Sequence, residues 1–198
     1  MQVSKLADAN FPTEFGQFRI YGFEGRDGER VEEAVVLAMG DMAAPGPLLL
    51  RIHSQCLTGD VFHSLRCDCR AQLELSLRRI AREGRGMLIY ENQEGRGIGI
   101  LNKLRAYELQ DAGADTVEAN EQLGFEADLR DYELPAFILD WFGVKSVRLL
   151  SNNPDKIQAL ESRGIPVAER IPCQVSRSDD SDDYLRTKKE KLGHLLDL

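Results

Sequence analysis

An apolar run followed at once by alternating polar residues constrains this chain more than any other stretch. Residues 47–50 read Pro-Leu-Leu-Leu and predict a buried strand. If the strand continues, every second residue points to the same side. The polar residues on that side are Arg51, His53 and Gln55. A rigid strand would therefore deliver polar side chains to one place.

Three of the four cysteines follow directly, as Cys56, Cys67 and Cys69. Three thiolates suit a soft or borderline cation such as zinc, and three protein ligands leave one position open for water. Two alternatives remain at this point. The cysteines could be reduced, buried and merely apolar, or the metal could be closed and structural, with His53 or His63 as a fourth ligand.

Strand-like and helical patterns alternate along the chain, which predicts an α/β fold: a mixed β-sheet flanked by helices in a single compact domain. The predicted strands are residues 17–23, 34–39, 47–53, 87–90, 144–151 and 165–175. Five helices are predicted: one after Cys69, one from about 98 to 112, one that ends near 142, one from 153 to 164 and one in the tail after 184.

Two helical or loop segments carry more specific expectations. The helix over 98–112 should bury a stripe formed by Leu101, Leu104 and Ala112. Residues 114–130 show little periodicity, and a long, polar, irregular segment in a compact domain is often functional.

Two turns have features of anion sites. Residues 91–99 form a glycine-rich turn after a strand, which lets backbone approach a ligand but is also common in plain turns. Asn153 can cap a helix with Pro154 in its first turn, and Lys156 adds positive charge. That helix start could hold an anion or be a simple cap.

Composition narrows the class of protein. The net charge of −8 argues against a nucleic-acid binder, and no apolar run is long enough for a membrane span. The first residues lack the apolar core of a signal peptide, and clustered free cysteines are typical of a reducing compartment, so a cytoplasmic protein is expected. Residues 178–183 are an acidic linker to a lysine-rich tail.

Five motifs in order closely resemble GTP cyclohydrolase II, the zinc enzyme that opens riboflavin biosynthesis. They are RIHSQCLTGD (51–60), SLRCDC (64–69), QEGRGIG (93–99), NKLRAY (102–107) and DTVEAN (115–120). The resemblance runs over nearly the whole chain. It implies a catalytic domain over residues 1–177, followed by the acidic linker and C-terminal tail over 178–198, in a homodimer.

The resemblance also implies roles for individual residues. Cys56, Cys67 and Cys69 would bind one Zn²⁺ per subunit, and Mg²⁺ would accompany the substrate phosphates. Asp128 matches the proton acceptor, and Tyr107 matches a tyrosine near the reacting ring. Residues that match GTP-binding positions are Arg51, His53, Ser54, Gln55, Gln72, Glu94, Gly95, Arg96, Thr116, Ser151 and Lys156.

Arg130 matches an arginine proposed to attack the α-phosphate. Because the pKa of arginine is too high for easy deprotonation, an electrostatic clamp on the phosphates is an equal alternative.

The implied reaction converts GTP and water to formate, pyrophosphate and 2,5-diamino-6-ribosylamino-4(3H)-pyrimidinone 5′-phosphate. The chain departs from the family pattern at Gln55, Arg70, Asn92 and Ser151. A paralogue with altered substrate or product therefore stays open, as does a non-catalytic nucleotide-binding homologue with a structural zinc.

Overall fold

The computed structural model describes residues 1–175 and 182–196, and their elements alternate between strand and helix. The strands are β1 (Gln2–Thr13), β2 (Gly16–Asp27), β3 (Arg30–Met39), β4 (Leu48–Ser54), β5 (Gly86–Glu91), β6 (Val147–Leu150) and β7 (Val167–Ile171). The helices are α1 (Cys69–Glu83), α2 (Ile100–Asp111), α3 (Thr116–Gln122), α4 (Glu133–Trp141), α5 (Pro154–Ser162) and α6 (Asp182–Leu192). None of these described helices is both long and apolar enough to cross a membrane.

The chain forms two compact units. The first comprises Met1–His53, Glu74–Asn92 and Asp131–Cys173. The second lies within Ser54–Leu73, Gln93–Arg130 and Gln174–Leu198.

The first unit is organised by a mixed seven-stranded sheet in the described part of the chain. The strand order is β1-β2-β3-β5-β4-β6-β7. β1, β2, β3 and β5 pair antiparallel, whereas β4, β6 and β7 pair parallel. The α/β class with a mixed, helix-flanked sheet is therefore confirmed.

Both faces of the central strands are covered, so β4 needs an apolar run rather than alternation. Leu50 and Ile52 join one core with Ile138 and Leu139 of α4. On the opposite face, Gly86 brings the side chain of Ile80 in α1 close to the backbone of β4. Each fully buried aliphatic side chain contributes about 1.5–3 kcal/mol, which makes β4 a rigid support.

The second unit contains α2, α3, α6 and two turns. A π-helical turn covers Leu57–Val61, and a 3₁₀ turn covers Glu94–Gly97. The prediction of an irregular segment over 114–130 was wrong, because α3 begins there. The Asp115 carboxylate accepts the backbone N–H groups of Val117 and Glu118, and the Glu118 carboxylate accepts the Asp115 N–H. A capping box of this kind can be recognised from the sequence alone.

The predicted buried stripe of α2 was also wrong. Leu101 is 73% exposed and Leu104 is 45% exposed, whereas Ala106 is buried. β1 was not predicted, and most of its residues are exposed. Cys173 lies beyond β7 rather than in a strand. Of the predicted acidic linker, residues 178–181 lie outside the described residues.

Candidate functional site

The sulfurs of Cys56, Cys67 and Cys69 lie within 4.8 Å of one another. The Cys56 and Cys67 sulfurs are 3.7 Å apart. Zinc–sulfur bonds of about 2.3 Å in tetrahedral geometry place two sulfurs about 3.8 Å apart. The Cys56–Cys67 spacing therefore matches that of two zinc ligands, and all three sulfurs lie close enough together to bind one soft or borderline cation.

The turn after β4 brings the first cysteine into this group. The Asp60 carboxylate accepts the Cys56 backbone N–H at 3.0 Å, and the Asp60 N–H donates to the Cys56 carbonyl at 2.7 Å. Arg70 donates to the Asp60 carbonyl at 2.9 Å. Arg70 therefore braces the turn that carries Cys56.

Gly59 sets the close approach of the three cysteines. A Cβ at this position would lie 2.9 Å from the Cys67 sulfur and 3.1 Å from the Cys56 sulfur. Contacts that short do not occur in relaxed structures, so a side chain here would push the sulfurs apart.

A buried ion pair supports the Cys56 thiolate. Lys103 Nζ donates to Cys56 Sγ at 3.2 Å and to Glu94 Oε1 at 2.7 Å. The other Glu94 oxygen accepts the Leu57 N–H at 2.6 Å. Burial opposes the ammonium charge, yet Cys56 and Glu94 outweigh it and raise the Lys103 pKa. Hydrogen bonds from Cys67 and Cys69, with the Lys103 charge, lower the pKa of Cys56.

Tyr107 lies beside the same group. Its hydroxyl is 3.2 Å from the Thr58 hydroxyl, which is 3.6 Å from Cys56 Sγ. Burial, reinforced by nearby cysteine charge, raises the pKa of Tyr107. The phenol therefore keeps its proton at neutral pH and remains a hydrogen-bond donor.

No histidine belongs to the candidate ligand group among the described residues. His63 is exposed, with a left-handed backbone (φ 58°). His53 stacks on Tyr90, with ring centroids 5.5 Å apart. The described residues grouped with the three sulfurs therefore include neither of the histidines considered as a fourth ligand.

Asp128 and Arg130 form a bidentate ion pair in the second unit. Arg130 Nε donates to the two Asp128 oxygens at 2.8 and 3.1 Å, and Arg130 Nη2 also donates to Asp128. Burial alone would raise the pKa of Asp128, but the Arg130 hydrogen bonds and charge more than offset it. Asp128 is therefore ionised at neutral pH, and Arg130 is held as a cation.

The glycine-rich turn presents a buried cation. Gly95 and Arg96 both have left-handed backbones, with φ of 62° and 61°, and the Arg96 carbonyl accepts the Leu129 N–H at 3.0 Å. The two terminal guanidinium nitrogens of Arg96 are buried and have no hydrogen-bond partner among the described residues. Such an orphaned cation is suited to an anion such as phosphate.

A separate polar group lies in the first unit, at the carboxyl ends of the parallel strands β4 and β6. Arg51 Nη1 donates to the Leu150 carbonyl at 3.0 Å, and Arg51 Nη2 lies 3.4 Å from His53 Nδ1. Lys156 Nζ donates to the Ile52 carbonyl at 2.9 Å. In α/β sheets, ligands bind beyond the carboxyl ends of strands.

The helix start beside this group has the predicted form. Asn153 is the N-cap of α5 and accepts the Asp155 N–H at 2.9 Å, with Pro154 as the first helical residue. The Ser151 hydroxyl accepts the Asn153 N–H at 3.0 Å. Ser151 therefore shapes the turn before the helix.

The other predicted binding residues are dispersed along the second unit. Ser54 is the last residue of β4, and Gln55 separates the strand from Cys56. The Ser54 hydroxyl oxygen is buried without a hydrogen-bond partner among the described residues. Gln72 lies in the first turn of α1 and donates to Asp68. Thr116 is the first residue of α3.

Sequence reasoning missed several residues that contact the cysteine group. Lys103 and Tyr107 are four apart on a helix and share a face, so the helical spacing could have placed Lys103 beside Tyr107. Asp60 lies in the RIHSQCLTGD motif, but no function was predicted for it. Asp68 and its partner Lys188 are 120 residues apart, and no local pattern could link them.

An α/β fold with a three-cysteine group of this geometry defines a class: α/β proteins with a cysteine-ligated metal centre. The sequence model described as GTP cyclohydrolase II matches residues 4–172, and the chain belongs to that family.

Similar proteins named GTP cyclohydrolase-2 span nearly the whole chain. The protein of Pseudomonas aeruginosa (strain LESB58) is 57% identical over 99% of this chain and 95% of its own length. That of Tolumonas auensis is 55% identical over 98% of both chains. That of Teredinibacter turnerae is 52% identical over 100% of this chain and 98% of its own.

Among solved structures, RibBX, a two-domain 3,4-dihydroxy-2-butanone 4-phosphate synthase from A. baumannii, matches 88% of this chain and 40% of that chain. The identity is 18% and the TM-score 0.48, so this likeness is too remote to bear on function.

Proposed function

We propose that this protein is a zinc-dependent GTP cyclohydrolase II. It hydrolyses GTP, opens the imidazole ring and releases formate and pyrophosphate. The organic product is 2,5-diamino-6-ribosylamino-4(3H)-pyrimidinone 5′-phosphate, and the reaction is the first step of riboflavin biosynthesis. The observation that carries the proposal is the three-sulfur group with Lys103 and Tyr107 beside it.

The proposed metal ligands are Cys56, Cys67 and Cys69, and zinc suits their softness and spacing. When bound, the ion lowers the pKa of water toward neutrality, which provides the nucleophile needed at C8 of the guanine. Lys103 offsets the negative charge of Cys56 by donating a hydrogen bond to it. Tyr107, which stays protonated, donates a hydrogen bond to the reacting ring.

Asp128 acts as the proton acceptor, which its lowered pKa permits at neutral pH. Arg130 acts as a cationic clamp on the phosphates. A nucleophilic arginine would have to lose a proton, and the bidentate pair with Asp128 opposes that loss. Mg²⁺ accompanies the substrate phosphates and screens their charge.

The proposed GTP ligands include Arg96, Arg51 and Lys156. Arg96 offers buried, orphaned guanidinium nitrogens to a phosphate. In the first unit, Lys156 and Arg51 supply positive charge at the strand ends. The remaining proposed ligands of GTP are His53, Ser54, Gln55, Gln72, Glu94, Gly95, Thr116 and Ser151. Both carboxylate oxygens of Glu94 also accept protein hydrogen bonds, so this residue holds the turn as well.

Incubation of the purified, zinc-loaded protein with GTP and Mg²⁺ tests the proposal. Formate, pyrophosphate and the pyrimidine, followed by its absorbance, should appear in equal amounts. The matched control is Cys67→Ser, which should yield none of them. Tight GTP binding without formate from the zinc-loaded protein would instead identify a non-catalytic homologue. Pyrophosphate with a formylated product would identify a paralogue that stops early.

The protein is further proposed to be a cytoplasmic homodimer. Free cysteines suit a reducing compartment, and α2 exposes Leu101 and Leu104, which a second copy would cover. Sedimentation velocity should give the mass of a dimer, and Leu101→Glu should lower it.

A further inference from the structure

Helix α6 lies beyond the segment that the family sequence model matches, which ends at residue 172. Its described residues nevertheless include buried side chains. Leu185 and Thr187 are buried in the helix, and Leu196 is buried after it. Lys191 pairs with Asp115 and with Glu118, at 3.1 Å from the latter, which joins α6 to the start of α3. The helix is therefore packed into the second unit.

One contact of α6 reaches the cysteine-bearing segment itself. Lys188 Nζ lies 3.3 Å from Asp68 Oδ1, and the two side chains are only 12% and 7% exposed. Asp68 stands between Cys67 and Cys69 in sequence. Removal of one partner of a buried ion pair leaves an uncompensated charge, which the surrounding structure must move to solvate.

The Asp68 carboxylate is engaged on both oxygens. Gln72 Nε2 donates to Oδ2, while Lys188 occupies Oδ1. The Lys188 ammonium also lies 4.2 Å from the ring centroid of Tyr184, which restricts its own position. A chain of contacts thus runs from α6 through Asp68 to Gln72.

We propose that α6 is a positioning element of the metal centre. Lys188, acting through Asp68, fixes the backbone that carries Cys67 and Cys69 and orients Gln72. Helix α6 then contributes to the metal site, although it lies outside the segment that the family sequence model matches. A test by zinc release rests on the proposed function, whereas a test by amide hydrogen exchange does not.

The first arm measures zinc release from the full-length, zinc-loaded protein to a chromophoric chelator, without GTP. Lys188→Met should release zinc about 10- to 100-fold faster, because loss of a side chain that positions metal ligands usually weakens metal binding by that factor. Lys188→Arg, which keeps the charge, should restore most of the slow release. Lys189→Met is the matched control, because Lys189 is exposed on the same helix, and it should release zinc at the original rate.

The second arm measures amide hydrogen exchange over residues 67–72 in the metal-free protein. Exchange in Lys188→Met should be faster there than in Lys189→Met, with the strands of the first unit unchanged. Asp68→Asn combined with Lys188→Met should release zinc no faster than the more affected single variant. Equal zinc release and equal exchange in Lys188→Met and Lys189→Met would overturn the proposal. A protein that binds no zinc would refute the proposed metal site but leave the exchange comparison decisive for α6.

Discussion

The polar group at the strand ends and the cysteine group differ in what holds their side chains. In the first unit, Arg51 and Lys156 donate to backbone carbonyls of Leu150 and Ile52, which the sheet fixes. In the second unit, Cys56 is held by another side chain, Lys103, which is in turn held by Glu94. The side chains of the first group bind main-chain carbonyls, whereas the Cys56 sulfur binds a network of charged side chains. We therefore expect substitutions in the two groups to affect different measured properties.

The largest effect should come from the cysteines. Cys67→Ser removes a thiolate from the three-sulfur group, so the protein should retain little or no zinc and formate release should fall below detection. Cys173→Ser makes the same change at a buried cysteine of the first unit and should retain both. Zinc content by elemental analysis and formate release are the measurements. Equal zinc content in the two variants would contradict the assignment.

A smaller effect is expected where the charge network meets the metal group. Lys103→Met removes the hydrogen bond to Cys56 and leaves Glu94 buried without its ammonium partner. Zinc affinity should fall about 10- to 100-fold, measured by competition with a chelator. Lys103→Arg should lose less, since it keeps the charge. Unchanged affinity in Lys103→Met would show that the network does not support the metal site.

The sheet-supported group should behave in the opposite way. Lys156→Met removes a buried cation from the first unit, and GTP affinity should fall about 10- to 100-fold, as for the loss of charged hydrogen bonds. Zinc content should stay at the original level. Lys145→Met, at an exposed lysine of the same unit, is the control. Loss of zinc in Lys156→Met would break the contrast between the two groups.

The smallest effect concerns the pH dependence of stability. The folded-state pKa of Asp128 lies below its ordinary value of 3.8. Its contribution is therefore present above that ordinary value and is lost as pH falls through the folded pKa. Asp128→Asn should cost about 1–3 kcal/mol of unfolding free energy at pH 6. The difference from the original protein should shrink below about pH 4, measured by urea titration; a difference independent of pH would exclude this ion pair as its source.

Local signals predicted much of the sheet and its supports. The apolar run at β4 and the Asn153-Pro154 helix start were identified because their causes lie within a few residues. α3 was missed although its capping box, Asp115 to Glu118, is equally local. The prediction failed because it relied on the spacing of apolar residues and not on the residues that cap the helix.

Other features could not be derived from local pattern. The leucines of α2 have helical spacing, but Leu101 is exposed, so burial was decided by which face met the neighbouring elements. Half of the residues of β1 are polar and most are exposed, and the segment is a strand because β2 pairs with it over its length. The approach of Lys188 to Asp68 depends on chain folding across 120 residues. The cysteine group itself was predicted from residue type and spacing, because its members lie within 14 residues of chain.

The absence of a side chain at Gly59 has a consequence for which ions the protein accepts. Even one added carbon at this position would lie 2.9 Å from the Cys67 sulfur and 3.1 Å from the Cys56 sulfur, so the space beside the two sulfurs is narrow. A larger thiophilic ion would have to displace main chain that Asp60 and Arg70 hold in place. Discrimination by ionic radius would then reside in a residue that never touches the metal.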